Sequence, residues 1–514
     1  MRRPGSLRRS TGHSRADEAD VPTVDLAALL APAHGDDQPP QAAISVRQSS
    51  PRPRVPVAPR RGWKHSYAGR TANSARPAVF RADTSALPGL YPFLHSASLP
   101  PMGAYIGFNT LTCQSFSAHP AAWVGAGLVA NPNVLITGIP GSGKSANVKA
   151  LALRLMPFGV KTLVAGDVKG EYTPLCRFLG VEPVRLGPGL PGRLNPLDAG
   201  PLGVNLPTDE AERRARLVEI HRRRMTLMSA LLELQLKRRP RQDELAALAL
   251  AIRQATGELD RATTLRNPTI PLVFAALRDP TPAMAHELRV RDDDVQELRE
   301  QTTQIREALG AMVHGHLGGL FDQESSDRLD FEAPIQSVDI SGLSSYGEDT
   351  VAMALTCVST WAQAAIDIPG APRLVVRDEI WRQMRSGGVA MVSKIDADLR
   401  LSRAQGTIQV LATHRLSDFE AVGATGSEAA NIARELIASA DTRITLAQDI
   451  APLQMTREVI GLTDAEAALI GSWGRSHVGR ALWKVGRAGG SHPVQLRLCD
   501  TETRLFYTDE RMTT

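Results

Sequence analysis

Three short stretches of this chain carry residue types whose spacing can do chemistry. The first runs Gly138, Ile139, Pro140, Gly141, Ser142, Gly143, Lys144, Ser145, Ala146, and it fits G-x-x-x-x-G-K-[ST] through Gly138, Gly143, Lys144 and Ser145. Glycines at 138, 141 and 143 permit backbone angles that let successive N–H groups converge on phosphate oxygens, at the positive end of a following helix. Lys144 then neutralises β- and γ-phosphates as a point charge, and the Ser145 hydroxyl ligates Mg2+. The context is right for such a loop, since "NVLIT" ahead of it reads as a strand and "SANVKALALRL" behind it as a helix.

The second stretch, "PRLVVRDEIWRQ", ends an apolar run at Asp378 and Glu379. Asp378 is placed to hold Mg2+ through water, and Glu379 to orient and deprotonate an attacking water, the role that commits a site to hydrolysis. In the third, "TIQVLATHRLSDF", a strand ends at Thr413 and His414, where a polar side chain can sense a γ-phosphate. Asp167, Val168, Lys169 and Gly170 also match the D-x-x-G of a nucleotide switch, but no Asn-Lys-x-Asp guanine-reading motif occurs in the chain. The nucleotide indicated is ATP.

Placing these groups together requires a sheet. Six short runs rich in β-branched residues, 133–139, 161–167, 337–343, 373–378, 407–414 and 442–448, are apolar on both faces and separated by helical patterns. That is what a buried parallel sheet requires, so the fold class is α/β with a mostly parallel central sheet. Upstream, "GAYIGFNTLTCQSF" and "AAWVGAGLVA" read as short strands leading to the loop. Between the second and third runs, residues 207–310 change character. Leu217, Ile220, Leu227, Leu231 and Leu234 follow helical steps broken only by Arg224, and Leu245, Leu248, Ile252 and Leu259 repeat the pattern. This predicts an inserted all-helical subdomain. Its arginines (Arg213, Arg214, Arg216, Arg222, Arg223, Arg224) interleave with Glu212 and Glu219, the pattern of a solvated face.

The division expected is therefore a tail over 1–76, the first part of the core over 77–206, the helical insert over 207–310 and the rest of the core over 311–514. The tail is Pro-rich, without sustained apolar periodicity, and reads as disordered. It holds 13 Lys+Arg against 6 Asp+Glu, leaving 46 against 48 elsewhere, so the basic balance of the chain belongs to the tail. Such a tail can touch anionic lipid, nucleic acid or an acidic partner. Four widely separated cysteines argue against a zinc site or a disulfide framework and fit a reducing, cytoplasmic home. No hydrophobic signal segment follows the charged start, and no stretch reaches about 18 apolar residues, so no transmembrane helix is expected.

Taken in order, these pieces resemble the conjugative-transfer and type IV secretion ATPases of the HerA and FtsK superfamily. The resemblance rests on "NVLITGIPGSGKS", "GDVKGEYTPL", "RLNPLDA", the helical insert, "LGGLFD", "LVVRDEIW", "LSRAQGTIQVLATHRLSDF" and the terminal "ALWKVGRAGG" and "ETRLFYTDE", over about residues 100–510. "KGEY" favours a secretion ATPase over the DNA coupling protein of the same systems. The resemblance implies a RecA-like P-loop core, a homohexameric ring with ATP sites between subunits, and an arginine supplied by the neighbour, for which Arg403 is the first candidate and Arg443 the second. It also implies peripheral attachment, at the inner face of the plasma membrane, to the membrane components of a secretion or conjugation apparatus, with DNA as a further candidate partner. The chain departs from the family at His414, where members usually carry glutamine, and in lacking room for a large N-terminal docking domain. The rival readings are a ring DNA translocase and a nucleotide-gated binding module with little turnover.

Overall fold

The computed structural model describes residues 99–507 apart from the short segments 188–189, 191, 204–205, 258–265, 289–293, 316, 326–329, 331, 367–370, 421–427, 474–476 and 487–489. The reading of residues 1–76 as a disordered tail lies outside the described residues.

Each of the six apolar runs contributes to a strand, β3 (Val134–Thr137), β4 (Lys161–Asp167), β6 (Ile335–Asp339), β7 (Arg373–Arg377), β8 (Ile408–Thr413) and β9 (Thr442–Leu446), but the run over 337–343 is strand only to Asp339 and passes into a 3-10 helix over Ser341–Tyr346. A short β5 (Val184–Arg185) joins them at one edge, and β1 (Ala104–Asn109), β2 (Ser115–Ala118), β10 (Arg480–Val485) and β11 (Gly490–Leu496) extend the other. The sheet order is β2-β1-β11-β10-β9-β3-β8-β7-β4-β6-β5. From β9 to β5 every pairing is parallel, and from β9 outward to β2 every pairing is antiparallel.

Both faces of the parallel block are covered, which is why its strands read as continuous apolar runs rather than alternating ones. Side chains still alternate between faces. Val134, Ile136, Val164, Leu374, Val376 and Val410 face one core with the helix Lys144–Leu155. Leu135 and Leu411 point the other way, against the helices Ile380–Leu401 and Glu428–Ala438. Leu163, Ala165 and Val375 share that opposite side with the helix Glu348–Ile366 and with the long helix Glu210–Leu236.

Residues 207–310 carry helices Glu210–Leu236, Gln242–Thr256, Ile270–Arg278, Pro282–Glu287, Val295–Gln301 and the start of Thr303–His314. Their apolar stripes join one continuous core with the sheet face. Arg224, which interrupts the leucine pattern, is buried within that stripe: its guanidinium donates to Leu197 O at 2.7 Å and to Asn267 Oδ1 at 2.9 Å. The solvated face expected for these arginines holds for Arg222, which is exposed, but not for Arg224 or for Arg223, whose side chain is only 16% exposed; Arg222 and Arg223 both pair at 2.7 Å with Glu219.

One expected strand is a helix. "AAWVG" lies in the helix Pro120–Gly125, because His119 caps its start, accepting from Ala122 N, and Pro120 presets the first helical turn. The antiparallel β10 and β11 were not expected as strands.

Candidate active site

In a doubly wound sheet the loops at the carboxyl ends of the parallel strands form the site. Here Thr137 and Thr413, the last residues of β3 and β8, pair with each other, and β7 ends at Arg377 opposite Leu411, two residues short of the end of β8. Four adjacent strands, β3, β8, β7 and β4, therefore deliver their following residues side by side.

After β3 the chain turns through Gly141 at φ 79° and Gly143 at φ 95°, values that side chains resist. Gly143 has a second constraint. A Cβ there would meet Gly479 N at 2.7 Å, in the segment before β10 whose Gly479 N donates to Ser142 O at 2.8 Å. Ser142 Oγ donates to Ile139 O at 2.7 Å and closes the loop internally. The helix Lys144–Leu155 starts at Gly143 with no side-chain cap, so its first-turn N–H groups have no intrahelical acceptor and face the loop. Pro140 and Gly141 form the exposed tip, with Ile139, Ser145 and Ala146 half-buried. An uncapped, glycine-shaped helix start beside a buried lysine fits the phosphates of a nucleotide.

Lys144 is buried, and its Nζ lies 3.4 Å from His414 Nδ1. The opposite ring nitrogen, Nε2, lies 2.8 Å from Glu379 Oε1. An ammonium only donates, so Nδ1 accepts and the Nε2–H donates to the carboxylate, an assignment made from the network. The same Oε1 accepts from Lys169 Nζ at 2.7 Å, and Oε2 accepts from Trp381 Nε1 at 2.6 Å. Lys144 after β3, His414 after β8, Glu379 after β7 and Lys169 after β4 thus form one hydrogen-bonded row across four neighbouring strands.

Glu379 occupies the left-handed region at φ 50°, ψ 40°, unusual for a non-glycine residue and of a kind that clusters at functional sites. Burial pushes its carboxyl pKa up, but hydrogen bonds from His414 and Lys169 and the charge of Lys144 outweigh burial and hold it well below the usual carboxylate range. Asp378 behaves oppositely. Burial raises its pKa, the charges of Glu379 and Glu171 add to this, and Lys144 and Lys169 oppose it. Asp378 Oδ1 accepts from Glu379 N at 3.0 Å.

The loop after β4 is tied down by Asp167, which accepts from Tyr172 N at 2.8 Å and Glu171 N at 3.0 Å. Burial, with Asp339 and Asp378 nearby, pushes its carboxyl up to about 6. Behind it Lys149 is fully buried, 3.7 Å from Glu171 and 5.4 Å from the Tyr172 ring centroid. This is where the "KGEY" stretch lies.

Of the expected site residues, the structure brings together Gly138 to Ala146, Asp378, Glu379 and His414. Thr413 is turned away, its hydroxyl 3.1 Å from Asp418 Oδ2. Arg403 is exposed in the turn before β8, at the opposite end of the strands from the P-loop. The six residues of β8, about 20 Å at roughly 3.3 Å per residue, separate it from His414. Arg443 is a structural residue: its guanidinium donates to Ala440 O at 3.0 Å, Ile460 O at 3.2 Å and Ala438 O at 3.3 Å, tying off two helix ends. A strand residue in "DTRITL" gives no hint in sequence of those carbonyls. Lys169 and Trp381 were not singled out from the sequence. "KGEY" and "DEIW" contained them, but no spacing rule links either to Glu379.

No family model matches the chain, and no curated protein matches it. Among solved structures it is similar to VirB4 of Thermoanaerobacter pseudethanolicus, with a TM-score of 0.61 at 18% identity, covering 80% of this chain and 100% of that one. It is also similar to the plasmid coupling protein TrwB in complex with ADP and Mg2+, with a TM-score of 0.45 at 14% identity, covering 71% of this chain and 85% of that one. The chain has a mixed sheet, parallel where the loops converge, of the RecA-like P-loop kind, and its fold is that of the VirB4 structure.

Proposed function

We propose that the chain is a Mg-ATP hydrolase that serves as the motor of a type IV secretion or conjugative DNA transfer system. The observation that carries the hydrolase reading is the row Lys144, His414, Glu379, which sets a buried carboxylate one imidazole away from the P-loop lysine. The N–H groups from Gly141 to Ser145, together with Lys144, hold the phosphates. Ser145 and Asp378 hold Mg2+. Glu379 orients the attacking water and takes its proton. Mg-ATP supplies the γ-phosphoryl group whose transfer to water drives conformational work.

The motor reading draws on the fold shared with VirB4, and it extends to a homohexameric ring. Arg403, exposed at the amino ends of the strands, is then presented to a neighbouring subunit rather than to its own site. The helices of 207–310 act as the lobe that moves with the nucleotide state. Among the described residues no helix is long and apolar enough to cross a membrane. The proposed attachment is to membrane components of the apparatus, at the inner face of the plasma membrane.

The test is phosphate release by purified protein, with and without DNA, alongside negative-stain imaging with Mg2+ and a non-hydrolysable ATP analogue. Turnover together with six-fold rings supports the motor. DNA-stimulated turnover whose DNA affinity falls steeply with salt points instead to a ring DNA translocase. Tight ATP binding without turnover leaves a nucleotide-gated binding module.

A further inference from the structure

Glu379 is gripped from both neighbouring strands, and neither grip is legible in the sequence. His414 reaches it from β8. Lys169 reaches it from the loop after β4, where the ammonium sits 2.7 Å from Oε1. We propose that Lys169 is a positioning residue for Glu379, fixing the carboxylate from the β4 side and coupling the base to the Asp167–Tyr172 loop.

This rests on the reading of Glu379 as the base. Three observations support it. First, the Glu379 backbone is in a left-handed conformation that its own preferences oppose, so its orientation depends on side-chain partners. Second, among the described residues Oε1 takes both Lys169 and His414 while Oε2 takes Trp381 alone. An ionised carboxylate has about four acceptor directions, so a lone pair remains on Oε2 for a water proton, and the Oε1 grips fix where it points. Third, the Lys169 backbone is itself anchored: Asp167 Oδ1 accepts from Lys169 N at 3.3 Å and from Glu171 N at 3.0 Å, which fixes the loop that carries the ammonium. The Lys169 side chain is half-exposed and Glu379 only 6% exposed, so the lysine can be changed without opening a cavity.

The test compares Lys169→Ala and Lys169→Arg with wild type in steady-state turnover, and measures affinity for a non-hydrolysable fluorescent ATP analogue and the thermal midpoint. Displacing a catalytic group by a fraction of an ångström is expected to lower kcat of Lys169→Ala by about tenfold or more. Analogue affinity and KM should stay within about twofold, and Lys169→Arg should recover most of kcat, since it restores a charged donor. In the Glu379→Gln background, Lys169→Ala should cost little further. The proposal is overturned if Lys169→Ala turns over at the wild-type rate, if it turns over faster, or if analogue affinity falls as far as in Lys144→Ala. That last result makes Lys169 a phosphate ligand. Failure of the underlying reading looks different: wild-type protein itself would bind the analogue without hydrolysing ATP.

Discussion

His414 offers the sharpest perturbation, because it touches both ends of the proposed chemistry. It accepts from Lys144 at 3.4 Å and donates to Glu379 at 2.8 Å. His414→Ala removes both contacts while leaving Glu379 to Lys169 and Trp381. A hydrogen bond to a charged group is worth about 1.5–3 kcal/mol. At about 1.4 kcal/mol per tenfold in rate, losing it predicts a fall in kcat of roughly ten- to a hundredfold. The Lys144 contact is long, so ATP affinity should change by less than about threefold, equivalent to under roughly 0.7 kcal/mol. His414→Gln places an amide in the same gap, with an oxygen to accept and an N–H to donate, and it should retain activity within about threefold. Phosphate release under saturating ATP, with affinity measured separately, reads both numbers. If His414→Gln falls as far as His414→Ala, bridging is not the role of this side chain. If His414→Ala is as active as wild type, the row has no catalytic meaning.

Further outcomes follow from the same contacts. Lys144→Ala should weaken nucleotide binding by more than about tenfold, read as loss of the thermal shift that Mg-ATP confers on wild type. Asp398→Ala should destabilise the fold by about 3–5 kcal/mol in urea titrations, because it strips the buried Arg377 guanidinium of a partner at 2.8 Å on the strand that carries Asp378 and Glu379. A loss below about 1 kcal/mol would show that Ser359 and Gln409 suffice to hold Arg377. Burial lowers the Lys394 pKa from 10.5 to about 8, despite Asp398 nearby. Below pH 8 both states bind the proton and the folded state bears the full cost. Between 8 and 10.5 the unfolded chain binds more protons, so stability rises with pH. Lys394→Met should therefore raise the urea midpoint at pH 7, with the gain shrinking as pH climbs through that window.

Much of the site was legible because its parts are local. Gly138 to Ser145 announce themselves by spacing, and an apolar run ending in Asp378 and Glu379 is a strand end whatever surrounds it. The parallel character of the central sheet followed from runs apolar on both faces, but the strand order did not. What could not be read were contacts made between strands. Lys169 meets Glu379 because β4 lies beside β7, Gly143 is required partly because Gly479 crosses it, and Arg443 serves carbonyls of two helix ends. Arg224 broke a leucine pattern that in fact includes it, since its partners Leu197 and Asn267 arrive from other segments. Residues 120–125 went wrong for a local reason: the capping by His119 and the proline after it outweigh the β-propensity of Trp123 and Val124.

The central claim is that a nucleotide held at Lys144 is cleaved by water activated at Glu379. It is tested most directly by Glu379→Gln, measured for phosphate release and for nucleotide affinity in the same preparation. The account predicts turnover reduced by at least about a hundredfold, the scale of losing a general base, with affinity kept within about threefold. Turnover within about twofold of wild type, on protein that binds nucleotide normally, would contradict it.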